Sequence, residues 1–149
     1  MCILILIHRA WAKFPILIAA NRDEDPNRPT SRPQLLEFGG RRVLCPQDKR
    51  HGGTWIGVND AGVVAALTNF EEDQYTLLKP PPDRSRGFVP LHALAAASAN
   101  EAVARVEEFV DQGPILPFQL AIADSERIIY FGKDRRGQEK FKFNSVEHP

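Results

Sequence analysis

The sequence predicts an α+β fold with a largely antiparallel sheet, and three observations carry that prediction. Runs of β-type residues fill the first half of the chain, two helical stretches follow between Leu91 and Gly113, and alternating residues return from Phe118 onward. Strands, helices and strands in separate blocks argue against a doubly wound parallel sheet, which needs strict alternation of the two.

At 149 residues the chain has the length of a single domain, residues 1–149. Such a domain buries about two-thirds of the surface that its unfolded form exposes. The 19 basic and 19 acidic residues balance, so the expected partners include no nucleic acid and no polybasic membrane contact. Cys2 and Cys45 form neither a disulfide framework nor a zinc pattern, and the four histidines stand at no ligand spacing near them. No cofactor and no metal are called for. The apolar start has no basic residue before it and meets His8 and Arg9 after five aliphatic positions. It is too short for a signal peptide or a membrane span. No membrane insertion and a cytoplasmic, reducing location are expected.

Residues 2–8 and 16–20 are apolar β-type runs separated by Arg9 to Pro15, which reads as an antiparallel hairpin with a long loop. Five aliphatics in a row at Ile3 to Ile7 fit a strand buried on both faces. The hairpin returns the end of its second strand towards Cys2, so Arg22 and Asp23 are expected beside that thiol. The proline-rich Asp25 to Pro33 reads as a surface loop that lines a site. Gly39-Gly40 between Leu35 to Phe38 and Arg41 to Cys45 signals a two-residue hairpin, since glycine reaches positive φ at little cost.

After the polar loop Pro46 to Arg50 and the turn His51-Gly52-Gly53-Thr54, strands are expected at Trp55 to Val58 and Val63 to Asn69. The second is almost uniformly apolar and belongs in a sheet covered on both faces. Glu71 to Arg84 reads as a long connection. Leu91 to Ala97 is helical in composition, with Pro90 suited to the first turn. Ser98-Ala99-Asn100-Glu101 is a capping-box pattern opening a helix with Val103, Val106 and Val110 on one face, and Gly113-Pro114 stops it. Both helices should cover one face of the sheet. Phe118 to Ala123 and Arg127 to Gly132 form a further hairpin around Asp124-Ser125-Glu126, Lys133 to Glu139 is a charged loop, and Lys140 to Asn144 alternates.

Cys2 is chemically distinctive. Loss of Met1 leaves a free α-amine beside the thiol; these groups titrate near ~7.7–8.0 and ~8.5, close enough to exchange a proton around neutral pH. One residue then supplies nucleophile and base for amide hydrolysis through an acyl-enzyme. A buried cysteine acting as a small hydrophobe is the alternative. Asn69 closes an apolar strand, where an asparagine suits a turn, and Asn21 suits a turn as well. Gly52-Gly53 reads as a tight turn, and Trp55 as core rather than a shelf for substrate. His51 and Cys45 receive no role.

Met1-Cys2 with its aliphatic strand, Ala19-Ala20-Asn21-Arg22-Asp23-Glu24, Arg28-Pro29-Thr30, Gly52-Gly53-Thr54-Trp55, Ala65-Ala66-Leu67-Thr68-Asn69 and Ser85-Arg86-Gly87 resemble the NRDE family. That family includes the transport-and-Golgi-organisation proteins and is similar to N-terminal nucleophile (Ntn) hydrolases. The resemblance implies an αββα sandwich, incomplete in this chain, with Cys2 as nucleophile, Asp23 holding the amine and Asn69 contributing its backbone amide to an oxyanion hole. Arg22 lowers the thiol pKa, binds a carboxylate or forms a salt bridge; the hydrolases' arginine aligns with Ala20 instead. The second asparagine of the family is not identifiable, and Asn144 does not carry its motif. The expected ligand is a small-molecule amide cleaved at a linear, non-peptide C–N bond. The alternative is an apolar ligand, haem or an acyl lipid, bound without turnover by a trafficking or homeostasis protein. An incomplete sandwich predicts homo-oligomers formed through exposed strand edges.

Overall fold

The computed structural model describes residues 2–69 and 84–133. The connection 71–83, the charged loop after Lys133, the alternating Lys140 to Asn144 and Asn144 itself lie outside the described residues. Eight strands and two helices occur among the described ones: β1 (Ile3–Trp11), β2 (Phe14–Asn21), β3 (Gln34–Phe38), β4 (Arg41–Cys45), β5 (Ile56–Asn59), β6 (Val64–Asn69), α1 (Phe88–Leu94), α2 (Ala99–Asp111), β7 (Phe118–Ala123) and β8 (Ile128–Lys133). The fold is α+β and every strand pairing is antiparallel: β1 with β2, and a six-stranded sheet in the order β3-β4-β5-β6-β7-β8.

Residues directly opposed in a ladder share a face. The pairs Val43↔Asn59, Gly57↔Ala65, Leu67↔Leu120 and Ile122↔Ile129 therefore define one side of the sheet. Both helices pack there, burying Val89, Leu94, Val103, Val106 and Val110 against Val43, Ala65, Leu120, Ile122 and Phe131. Gly57 permits the approach of α1, because a Cβ on it would lie 2.7 Å from Leu94 Cδ1 and 2.9 Å from Cys45 Cβ. Buried Asn59 fixes the contact by donating to the carbonyls of Leu94 and Ala96, 2.8 and 2.7 Å away. Its own carbonyl accepts from Ala61 and Val63, so the side chain is fully used.

The N-cap of α2 follows the sequence closely. Ser98 Oγ accepts from Glu101 N at 3.3 Å, while the Glu101 carboxylate accepts from Ala97 N at 2.8 Å, one residue ahead of the usual reciprocal bond. Asp124 in the β7–β8 turn accepts from Ala99 N, adding negative charge at the start of α2. Past the other end of α2, Arg84 donates to Gly113 O at 2.9 Å and lies 4.2 Å from the centre of the Phe109 ring.

The opposite side of the sheet carries Val64, Ala66, Ala121 and Ala123, all buried. There β1 packs against β6, and His8 Nε2 lies 2.9 Å from the carbonyl of Asp124. The hairpin differs from expectation in two respects. Its strands extend to Trp11 and from Phe14, paired with each other, so the connection is short rather than a long loop. Among the described residues β1 is covered on one face only: Leu4 and Leu6 are half-buried, whereas Ile3 and Ile5 are 54% and 53% exposed. The layers described are thus a helix pair, the six-stranded sheet and the hairpin.

Candidate functional site

The end of β2 lies beside the start of β1, with Asn21 paired to Ile3, so the residues after Asn21 arrive beside Cys2. Cys2 Sγ lies 3.8 Å from the carbonyl oxygen of Asp23, within reach of a weak S–H···O contact. Both line a cavity of about 370 Å³ together with Arg22, Glu24, Arg28, Asp48, His51, Trp55, Asn69 and Arg86. All four residues singled out in the sequence, Cys2, Arg22, Asp23 and Asn69, thus stand around one space. Asn69 ends β6, opposite Phe118 in the ladder. Asn21 is a strand residue, not the turn residue expected.

Arg22 is held in two ways. Its Nη2 is 3.3 Å from Glu24 Oε2, and its guanidinium carbon is 4.1 Å from the centre of the Trp55 ring, a stacking distance for a cation over an indole. Trp55 is half-buried in the cavity wall and not a core residue as expected. Its place follows from the turn before it. Gly52 has φ +81°, a left-handed value that glycine adopts freely. Gly53 packs on Gly87 so closely that a Cβ would lie 2.5 Å from the Gly87 carbonyl carbon. Thr54 N then donates to Gly87 O at 2.9 Å. The Gly-Gly-Thr and Ser-Arg-Gly motifs are therefore two halves of one wall.

A group of charged residues that sequence reasoning did not single out underlies the site. Asp48 is buried, and its Oδ2 accepts from Arg28 Nη2 at 2.5 Å. His51 Nδ1 lies 3.3 Å from the same oxygen and 3.0 Å from Arg28 Nη2. Arg28 Nη1 donates to Glu24 Oε2 at 2.8 Å, the oxygen that also faces Arg22. Burial alone would raise the Asp48 pKa, but hydrogen bonds from Arg28, the Arg50 amide and His51, with the charge of Arg28, outweigh it and hold the carboxyl at about 2. The Arg28 guanidinium is shifted upward, chiefly by its hydrogen bond to Asp48. The Asp25 to Pro33 loop, expected to line a site, supplies Arg28. Nothing in the polar stretch 46–50 marks Asp48 as its partner.

Cys45 is core: buried, with its thiol pKa pushed up by desolvation against a hydrogen bond from Thr54. Among the described residues no cluster of three or more His, Cys, Asp or Glu could hold a metal ion.

The family profile described as Transport and Golgi organisation 2 matches residues 1–146. Among curated relatives, the Transport and Golgi organization protein 2 homolog of Homo sapiens is 29% identical over 128 residues, covering 80% of this chain and 44% of that protein. The homolog of Bos taurus is 30% identical over 139 residues, covering 85% and 46%, and the Mus musculus homolog is 27% identical over 130, covering 80% and 44%. The chain spans less than half the length of these relatives. Two solved structures are similar in part: penicillin V acylase from Agrobacterium tumefaciens (15% identity, TM-score 0.46, 70% of this chain and 33% of that one) and a variant of conjugated bile acid hydrolase from Clostridium perfringens (16%, 0.49, 71% and 36%).

Proposed function

The chain belongs to the Transport and Golgi organisation 2 family, and from that premise we propose that it carries the nucleophile half of an N-terminal cysteine amidohydrolase. The observation that carries the reading is the meeting of Cys2, Asp23, Arg22 and Asn69 around one cavity at the free end of the first strand. With Met1 removed, the α-amine takes the thiol proton and sulfur attacks the carbonyl carbon of a linear amide. The oxyanion is met by the Asn69 backbone amide. The ammonium, held by Asp23, returns its proton to the departing amine, leaving a thioester. Water then adds with the amine as base, releasing the acid and restoring the thiol.

The reading extends to a cytoplasmic protein whose residues 1–149 act as one domain and whose copies associate through the open edges of β1 and β2. No helix among the described residues is long and apolar enough to cross a membrane. A second reading, binding of an apolar ligand such as haem or an acyl lipid without turnover, draws on the apolar Trp55, Leu67 and Leu116 in the cavity wall and on the family's association with transport.

Intact-mass measurement followed by incubation with an acyl anilide separates the readings. Turnover requires loss of Met1, an acyl adduct on Cys2 and none on Cys45, and a loss of about a thousandfold or more in Cys2→Ala. Retained Met1 sinks the amidohydrolase. Equal binding by parent and Cys2→Ala, with no adduct in either, favours the second reading.

A further inference from the structure

We propose that Arg28 is a positioning residue for Cys2, clamping together the two walls of the cavity. One wall is the turn after β2, where the Asp23 carbonyl lies 3.8 Å from Cys2 Sγ. The other is the turn 48–54, which leads into Trp55. The Arg28 guanidinium reaches both, with Nη1 on Glu24 of the first and Nη2 on Asp48 of the second. A planar fork suits that double attachment, which a lysine ammonium on a flexible stem does not reproduce.

The anchor is firm on the Asp48 side. Asp48 is 5% exposed, its Oδ1 accepts from Arg50 N, and its backbone amide and carbonyl bond Gly53 O and Gly52 N. The segment carrying Arg28 is pinned to the same turn through Lys49 N to Pro29 O, Ser31 N to Gln47 O and the Thr30–Asp48 bridge. On the nucleophile side Arg28 N donates to Asp25 O at 2.9 Å, Glu24 accepts from Arg28 at 2.8 Å and from Arg22 at 3.3 Å, and Arg22 lies on Trp55. The charges alternate Asp48, Arg28, Glu24, Arg22, so removal of Arg28 leaves Glu24 and buried Asp48 each short of a cation. The turn bearing the Asp23 carbonyl then moves away from the thiol and uncovers it.

The test is the alkylation rate of Cys2 by iodoacetamide, read peptide by peptide with buried Cys45 as the internal control for loosening. This measures thiol placement without substrate or turnover. Only the catalytic consequence, a slower acylation, rests on the amidohydrolase reading. Arg28→Ala is expected to accelerate Cys2 alkylation about tenfold with Cys45 unchanged. Arg28→Lys should recover little of the parent rate, and millimolar guanidinium should slow Cys2 again in Arg28→Ala but not in the parent. Asp48→Asn should reproduce the acceleration in part, whereas Arg41→Ala, which removes a surface partner of Asp60, should leave the rate within about twofold of the parent.

In a Trp11→Phe background Trp55 is the sole tryptophan, and its emission should shift in Arg28→Ala as Arg22 leaves the ring. Unchanged Cys2 alkylation in folded Arg28→Ala overturns the proposal, as does equal acceleration at Cys45 or full recovery by lysine. If Arg28→Ala does not fold, the same criteria apply to Arg28→Lys and Asp48→Asn. Faster alkylation with no acyl turnover in the parent upholds the clamp and removes the enzyme. Turnover in the parent with alkylation unchanged in the variants does the reverse.

Discussion

Asp48 gives the site a definite acid response. Its carboxyl is held at about 2 in the fold against an ordinary value of 3.8. A depressed folded value means that the bound network stabilises the protein fully above the unfolded pKa and loses that contribution as pH falls through the folded one. The shift corresponds to about 2 kcal/mol. Thermal melts between pH 5 and pH 2, a range of about three units, should show a fall in Tm that is shallower in Asp48→Asn, whose stability at pH 7 is already lower. Parallel curves for parent and variant would refute the assignment. Single residues differed greatly in how far sequence revealed them. Cys2 and Asp23 were legible because a hairpin of nearly equal arms must return its end to its beginning. The Arg28–Asp48 pair joins two irregular loops, whose spacing in sequence follows no period, so nothing short of the fold brings them together. Trp55 departs from its sequence reading for a related reason: an aromatic at the head of an apolar strand reads as core, whereas in the fold a cation lies on it.

At the scale of elements, the contact of Gly53 with Gly87 joins the sheet's approach to the entrance of α1. Gly53→Ala forces backbone against backbone, with 2.5 Å available to the new carbon, and should cost about 2–3 kcal/mol as well as the Thr54–Gly87 bond. Gly62→Ala is the instructive comparison. There a Cβ meets nothing within 4 Å, but φ is +83°, so only the left-handed backbone is penalised, by roughly 1 kcal/mol. Urea melts should order the two variants accordingly, and a Gly53→Ala midpoint equal to the parent's would remove the wall contact as an energetic feature. Most elements were readable because their signals are local: Gly39-Gly40 with both φ values positive, the Ser98 cap, and the valine face of α2. The first hairpin is longer than its sequence suggests. Arg9, Lys13 and Pro15 resemble loop chemistry, yet β1 and β2 form their own two-stranded sheet, where an open edge tolerates charged side chains and a proline.

For the molecule as a whole, the outer face of the hairpin is the outstanding surface. Ile3, Ile5 and Leu17 share it and are exposed, with Trp11 and Phe14 exposed at its tip. Sequence composition alone suggests burial on both sides of β1, since an unbroken aliphatic run carries no polar face to point at water. Contiguous apolar surface of this kind favours association. Light scattering should therefore give the 16.7 kDa chain a mass that rises with concentration, and Ile5→Lys should flatten that rise without lowering Tm. A parent that stays monomeric over the whole range would exclude association through this face.

The cavity also has a history in time. Among the described residues its lining runs from Cys2 to Leu116, so the Cys2 thiol is synthesised more than a hundred residues before the last of these neighbours. At about 5–20 residues per second, a nascent chain carries that thiol for roughly ten seconds before its pocket can close. The Cys2 thiol is consequently most open to stray electrophiles and oxidants during translation, and least open once folding is complete.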